Sequence, residues 1–332
     1  MTARIFLLVT SPRLPAGLLT AAAWDVVRNH PVFAGAESEQ AEALRKSGVP
    51  VTVVDSDPER LIAELAAVDD HHGAGDRGVV WLAGPTGDEA FARGLGLRLA
   101  REPGLAELEL IYGSWDPPGA RLLDAVAVMD RLASPGGDPW KRAQTHRTLA
   151  PYLLEESYEA YDAIESDDTD ALREELGDVL LQVVLHARLA EELPEDEAWN
   201  IDDVAGGLVD KMVRRNPHVF AGVEVADIEE ITRNWDSIKK AEKVRDSALD
   251  GIALSQPALA LAAKILQRTG RAGLTAPLPD GSDVGARLFR IVAEGGDAEQ
   301  ALRRTALEYA EAVRAAESTA KAAEPRIVGP AE

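Results

Sequence analysis

The sequence predicts an α+β chain of several domains. A small Rossmann-like α/β domain with a parallel sheet comes first, then an all-α helical bundle, then a C-terminal helical remnant. Three observations carry this. Runs rich in Val, Leu and Ile alternate with helical stretches as far as residue 116. Beyond it only helical periodicity recurs. Two of those later helices carry carboxylates at three- and four-residue offsets. The boundaries that follow are 1–116, 117–250 and 251–320, with 321–332 a disordered tail.

In the first region, strands are expected at Arg4–Thr10, Pro50–Asp55, Val79–Ala83 and Leu108–Tyr112. Helical stretches lie around 16–28, 38–47, 57–67 and 87–100. Gly84-Pro-Thr-Gly87 joins a strand to a helix, where a phosphate or cofactor can sit, although an ordinary βα connection reads the same way. His71 and His72 fall in a polar loop and are read as solvated.

An amphipathic helix over Leu122–Leu132 opens the second region, with Leu123, Val126, Met129 and Leu132 on one face. Ser134-Pro-Gly-Gly-Asp-Pro139 ends it. Two helices joined by a polar turn follow. The first runs from about Thr148 to Glu165, with Leu154, Tyr158, Tyr161 and Ile164 at helical spacing and Pro151 in its first turn. The second reaches about Glu191, capped by Asp168 or Thr169, with Leu172, Leu176, Val179, Val183 and Val184 toward a core.

Glu156 and Glu159 are three apart on the first of these helices, and Glu175 and Asp178 three apart on the second. At about 1.5 Å per residue, Glu159 lies roughly 9 Å from the turn and Glu175 roughly 7.5 Å. An antiparallel hairpin therefore sets Glu159 level with Glu175, and Glu156 level with Asp178. Unpaired like charges so placed are costly, and a hard divalent cation resolves the cost; all-oxygen ligation suits magnesium or manganese. A solvated acidic face is the bland alternative for a single pair. Two matched pairs on otherwise apolar helices argue against it. A carboxylate di-iron site needs a His three residues after a Glu on two helices, and Glu159 and Asp178 occupy those places.

Past the hairpin, Ile201–Arg215 reads as a helix opened by Asn200 or Asp202, with Ile201, Val204, Leu208 and Met212 as a buried stripe. Lys211 and Arg215 lie four apart beside that stripe, and Asn216-Pro217 stops the helix. Ile228–Arg245 is a polar helix carrying Trp235, Lys239, Lys240 and Lys243. Four of the eight lysines thus fall between 211 and 243, where pairing with Glu242 or Asp246 is the bland account. Residues 256–318 are helical.

Composition narrows the function classes. A net charge of −22 leaves no basic surface for a nucleic-acid backbone. The chain has no cysteine, which excludes disulfides, thiol catalysis and thiolate metal sites. No apolar run has membrane-spanning length and none at the start resembles a signal peptide, so the expected location is cytoplasmic.

The pattern Glu155-Glu156-x-x-Glu159, fifteen residues, then Glu175-x-x-Asp178 resembles the signature of the all-α nucleoside triphosphate pyrophosphohydrolases. Trp140, Gln144-Thr-His146, Tyr152-Leu-Leu-Glu-Glu156, Glu174-Glu-Leu-Gly-Asp178, Pro217-His-Val-Phe220 and Trp235…Lys239 narrow the resemblance to the MazG family over roughly 122–270. Asp138 departs from the family's cysteine before Pro-Trp, and Asn216 from its usual His before Pro217.

The resemblance implies a MazG-type bundle that hydrolyses nucleoside triphosphates to monophosphate and pyrophosphate, in nucleotide-pool house-cleaning. It implies Glu156, Glu159, Glu175 and Asp178 as ligands of Mg2+ (or Mn2+), with Glu155 or Glu174 as the base. It also implies Lys211 and Arg215 on the triphosphate, Trp235 and Lys239 near the nucleotide, and Trp140 either in the core or on a base. A homodimer completing a four-helix bundle is expected. A narrower dUTP/dCTP-type pyrophosphatase and an inactive nucleotide sensor are the alternatives. Residues 1–116 resemble a shortened methylase-like domain and are assigned no activity. Gly285-Ala-Arg-Leu-Phe289 resembles a decayed copy of Gly177-Asp-Val-Leu-Leu181, with Asp283 at the place of Glu175 and Ala286 at that of Asp178.

Overall fold

The computed structural model describes residues 3–67, 77–242 and 246–323. His71, His72, Lys243 and Arg245 lie outside the described residues. The chain divides into two compact units, Met1–Leu208 and Val209–Glu332, and each is described by itself. No helix among the described residues is long and apolar enough to cross a membrane.

The first unit begins with five parallel strands: β1 (Ala3–Val9), β2 (Val32–Ala34), β3 (Val51–Val53), β4 (Gly78–Leu82) and β5 (Ala106–Tyr112), in the order β3-β2-β4-β1-β5. Helices α1 (Ala21–Asn29), α2 (Glu39–Lys46), α3 (Pro58–Ala67) and α4 (Glu89–Arg101) connect them. β2 was not expected. Three residues between Pro31 and Gly35 are too few to show an alternation, yet β2 lies inside the sheet between β3 and β4.

Both faces of the central strands β1, β2 and β4 are covered, which is why they read as apolar runs, whereas the edge strand β5 alternates Glu with apolar residues and leaves Leu108 and Leu110 exposed. Phe6, Leu8, Val32, Val80 and Leu82 pack on one face with Ala23, Val27 and Leu44 of α1 and α2. Ile5, Phe33, Val79 and Trp81 pack on the other with Leu61, Leu65, Phe91 and Leu95 of α3 and α4. Trp81 stacks on Phe91 at 3.8 Å and donates its indole N–H to Asp88 at 2.8 Å. Asp88 also accepts from the Gly84 amide at 3.2 Å. A carboxylate thus engages the Gly84–Gly87 turn where an anion would bind, so the turn is an ordinary βα connection.

Arg13, after β1, binds Asp116 and Asp124 and ties the sheet to α5 (Arg121–Ala133). After the short turn α6 (Pro139–Arg142) come α7 (His146–Glu165), α8 (Thr169–Ala190) and α9 (Ile201–Arg215). The α7–α8 turn is closed by Asp167 at φ 55 and by Asp168, whose carboxylate accepts from the Asp170 and Ala171 amides. Asp tolerates the left-handed region better than most residues, and a capping Asp contributes about 1 kcal/mol. Asn200 caps α9, accepting from the Asp202 and Asp203 amides at 2.8 and 3.2 Å.

The bundle core differs from the expected one. Met129, Ala133, Leu149, Val184 and Leu185 form it, at the end of the hairpin away from the turn. Near the turn Ala160 and Ala163 are the buried residues of α7. Of the residues expected toward a core, Val184 is buried and Leu172, Val179, Val183, Ile201 and Met212 are partly buried. Leu176 is exposed by 54% and Leu208 by 51%, with Val204 also exposed, and so are Leu154 by 57%, Tyr158 and Ile164. Leu123 of α5 is exposed too. Periodicity identified the apolar faces, and among the described residues of this unit parts of them stay uncovered.

The second unit holds the end of α9, the turn α10 (Pro217–Phe220), α11 (Ile228–Ala241), α12 (Ala258–Arg271), α13 (Val284–Ala293) and α14 (Ala298–Ala323). Pro217 stops α9 as expected and then starts α10 at its first position. The stretch expected as one helical region from 256 to 318 is three helices, broken after Ala272 and at Gly295-Gly296. α14 has no glycine or proline to end it and continues through Ala323, past Lys321, where a disordered tail was expected; residues 324–332 lie outside the described residues.

Candidate metal centre and nucleotide site

α7 and α8 run side by side from the Asp168-capped turn, which sets the heights of their carboxylates. One carboxylate oxygen each from Glu156, Glu175 and Asp178 lie within 4.8 Å of one another. The three residues are partly buried, whereas Glu155, Glu159 and Glu174 are exposed. Glu159 stands outside the group of three, with its carboxyl hydrogen-bonded to Glu175.

The electrostatics follow from this crowding. Burial pushes the Glu156 carboxyl above its ordinary range, and Asp178, Glu159, Glu155 and Glu175 push it further. Burial likewise raises Glu175, followed by Glu159, Asp178 and Glu174. Without a counter-charge each carboxylate makes its neighbours harder to ionise. The donor set fits a hard cation. Octahedral magnesium holds oxygens at about 2.1 Å, so ligands lie about 3 Å apart when adjacent and about 4.2 Å when opposite. A spread within 4.8 Å is of that order. Gln182, one turn beyond Asp178, is 4% exposed, and its Oε1 has no hydrogen-bond partner. This helix therefore keeps polar groups where packing alone favours apolar ones.

At the other end of the hairpin, His146 of α7 and His186 of α8 bring their Nδ1 atoms to 2.7 Å with rings stacked at 5.0 Å. Trp199 stacks on His146 at 6.1 Å. Burial, followed by His146, lowers the His186 pKa. Forty residues separate the pair, and no local pattern links them.

Trp140 is not core: it is 49% exposed, edge-on to Tyr152 at 5.8 Å, with Lys141 Nζ 5.7 Å from its ring. Asp138, at the family's cysteine position, caps α6 by accepting from the Trp140 amide at 3.0 Å and pairs with Lys141.

Lys211, Arg215, Trp235 and Lys239 belong to the second unit. Lys211 is partly buried and Lys239 exposed. The Arg215 guanidinium lies 5.5 Å from the Trp235 ring centroid and binds Glu242, which also accepts from Arg214 at 2.8 Å. Hydrogen bonds from Arg215, then Arg214, bring the Glu242 pKa down to about 2. Glu242, read from the sequence as a lysine partner, is thus an arginine partner 27 residues away, a separation that leaves no sequence signal. In the decayed repeat, Asp283 caps α13 by accepting from the Ala286 amide at 3.0 Å.

Residues 144–220 match the family described as the MazG nucleotide pyrophosphohydrolase domain. The chain is 48% identical over 235 residues to a Streptomyces cacaoi protein named "Uncharacterized 26.1 kDa protein in blaB 3'region", covering 69% of this chain and 95% of that one. It is 46% identical over 217 residues to a Mycolicibacterium smegmatis protein named nucleoside triphosphate pyrophosphohydrolase, covering 64% of each. A Mycobacterium tuberculosis protein of the same name is 45% identical over 199 residues, covering 60% of this chain and 59% of that one. The chain thus spans somewhat under two thirds of the two named relatives. With its acidic hairpin inside the matched segment, the chain belongs to the MazG family.

Proposed function

We propose that the protein is a hydrolase of phosphoric anhydride bonds that converts a nucleoside triphosphate and water into the monophosphate and pyrophosphate, with magnesium or manganese as cofactor. The observation that carries this is the convergence of Glu156, Glu175 and Asp178 inside the segment matched to a nucleotide pyrophosphohydrolase domain. The names of the two mycobacterial relatives support the same reaction.

Glu156, Glu175 and Asp178 hold the cation, and Glu159 completes the set beside Glu175. When bound, the ion would supply charge to neutralise phosphate oxygens and to acidify water. Water oxygen forms a bond to the α-phosphorus as the bond to the bridging oxygen breaks, and pyrophosphate leaves. Glu155 and Glu174, exposed beside the ligands, are the carboxylates able to take the water proton. Lys211 and Arg215 stabilise charge on the leaving pyrophosphate, and Lys239 adds positive charge near the nucleotide. Arg215 occupies one face of Trp235, so that ring acts first as a support for the guanidinium. Trp140 has an exposed face for a base. The uncovered apolar residues of α7, α8 and α9 support a homodimer that completes a four-helix bundle. The protein is read as cytoplasmic, and the sheet region as a domain without catalytic function.

A panel of ribo- and deoxynucleoside triphosphates, dUTP and dCTP among them, tests the reading through pyrophosphate release with magnesium. Release should stop with EDTA and fall on the order of 100-fold in Glu159→Gln, with the fold intact. Full turnover in metal-free protein overturns the metal assignment. Turnover confined to one deoxynucleotide assigns the narrower enzyme.

A further inference from the structure

Two adjacent arginines share one carboxylate in the second unit. Glu242 accepts from Arg214 Nε at 2.8 Å, from Arg215 Nε at 3.1 Å and from Arg215 Nη2 at 2.5 Å. The Arg215 side chain is 11% exposed and that of Glu242 15%, so this is a well-shielded pair. Glu242 uses the Nε–Nη2 edge of the guanidinium, and the Trp235 ring supports its face. Among the described residues, no hydrogen bond is made by Arg215 Nη1.

A guanidinium fixed at one edge and one face has a single edge left for an anion, already oriented. A free arginine side chain carries rotamer entropy that binding would otherwise have to remove. Charge is preserved as well: two guanidiniums and one carboxylate leave a net positive cluster in a chain of net charge −22. A phosphate oxygen therefore still finds attraction there.

We infer that Glu242 is a positioning residue, holding Arg215 on Trp235 so that its Nη1 edge receives an oxygen of the substrate's polyphosphate. This rests on the proposed reading that Arg215 contacts substrate. Among the described residues, the Glu242 carboxylate takes its hydrogen bonds from Arg214 and Arg215. Its effect should appear in substrate binding and should depend on Arg215.

The test is a double-mutant cycle of Glu242→Gln and Arg215→Ala, read as KM and kcat for pyrophosphate release at saturating magnesium. Glu242→Gln should raise KM about 10-fold, change kcat less than about 3-fold and leave the magnesium midpoint unchanged. Adding it to Arg215→Ala should change nothing further. Glu242→Asp, which keeps the charge, should recover part of the KM. If Arg215→Ala leaves KM unaltered, the substrate reading of Arg215 fails. If Arg215→Ala raises KM but Glu242→Gln does not, or lowers it as a competing latch would, the positioning role fails. Full additivity in the double variant also overturns it. Melting curves of all four proteins identify loss of fold, and a Glu242→Gln variant that does not fold makes Glu242 a structural residue and overturns the proposal.

Discussion

The parallel sheet and the α7–α8 hairpin lie in one compact unit and are built on opposite terms. The central strands of the sheet are buried on both faces, and Ile5, Leu8, Val79, Val80 and Trp81 are fully inaccessible, while the edge strand β5 leaves Leu108 and Leu110 exposed. It carries no cluster of chemistry, and its one glycine-rich turn is bonded to its own Asp88. The hairpin contributes Leu149, Val184 and Leu185 to its core cluster, exposes Leu154 and Leu176, and brings together carboxylates that raise one another's pKa. The sheet is satisfied by its own neighbours. Among the described residues of its own unit, the hairpin lacks two things, a positive charge between its acids and a full cover for its apolar face.

The largest expected effect sharpens the sheet side of this contrast. Trp81→Ala removes a fully buried indole, its stack on Phe91 and its bond to Asp88. It should cost about 3–5 kcal/mol, read as a lower denaturation midpoint at unchanged slope. A loss under about 1 kcal/mol would show that the sheet core is not well packed. Next comes the charge that the hairpin lacks. Magnesium at about 100 times its dissociation constant should stabilise the wild type by about 2.7 kcal/mol. Asp178→Asn should abolish that shift and, without metal, melt no lower than wild type, because one like charge has gone. An undiminished magnesium shift in this variant would remove Asp178 from the ligand set.

The missing cover comes third. Burying a leucine contributes about 1.5–3 kcal/mol, so Leu176→Glu should dissociate an assembly held through this face while helix content stays constant. Sedimentation at several concentrations reads the outcome, and a monomeric wild type would break the explanation. The smallest effect is on pH. His186 has a depressed pKa, so the unfolded chain binds protons that the folded one resists. Its contribution to stability is present above the ordinary value of 6.5 and is lost as pH falls below it, by at most about 1.4 kcal/mol per unit. Glu156 and Glu175, raised above 4.5, act in the opposite sense: without metal their contribution is present below that value and is lost as pH rises through their folded pKa. His146→Asn should flatten the loss near pH 6, and magnesium should suppress the change from the two glutamates. A melting curve indifferent to both would show that neither cluster is coupled to folding.

Much of the local structure was legible in the residue order. Asn200 and Asn216-Pro217 bound α9 at Ile201–Arg215 as expected, and Asp168 caps α8, because caps and proline stops act within a few residues. Helix rise and turn length alone point Glu156, Glu175 and Asp178 toward one another, and these three do meet. β2 was not legible, because its three residues take strand form from partners on both sides. Nor was it legible that Leu154, Tyr158 and Ile164 stay exposed while Ala160 and Ala163 are buried.

The sequence by itself determined the acidic hairpin and the family to which it points, since spacing along a helix converts directly into position on a face. Only the tertiary structure decided which faces are covered and which distant groups meet: the strand order β3-β2-β4-β1-β5, His146 against His186, and Glu242 beneath Arg215. Periodicity states that a side chain has a preferred direction. What lies in that direction depends on packing between elements tens of residues apart, and no local pattern encodes it.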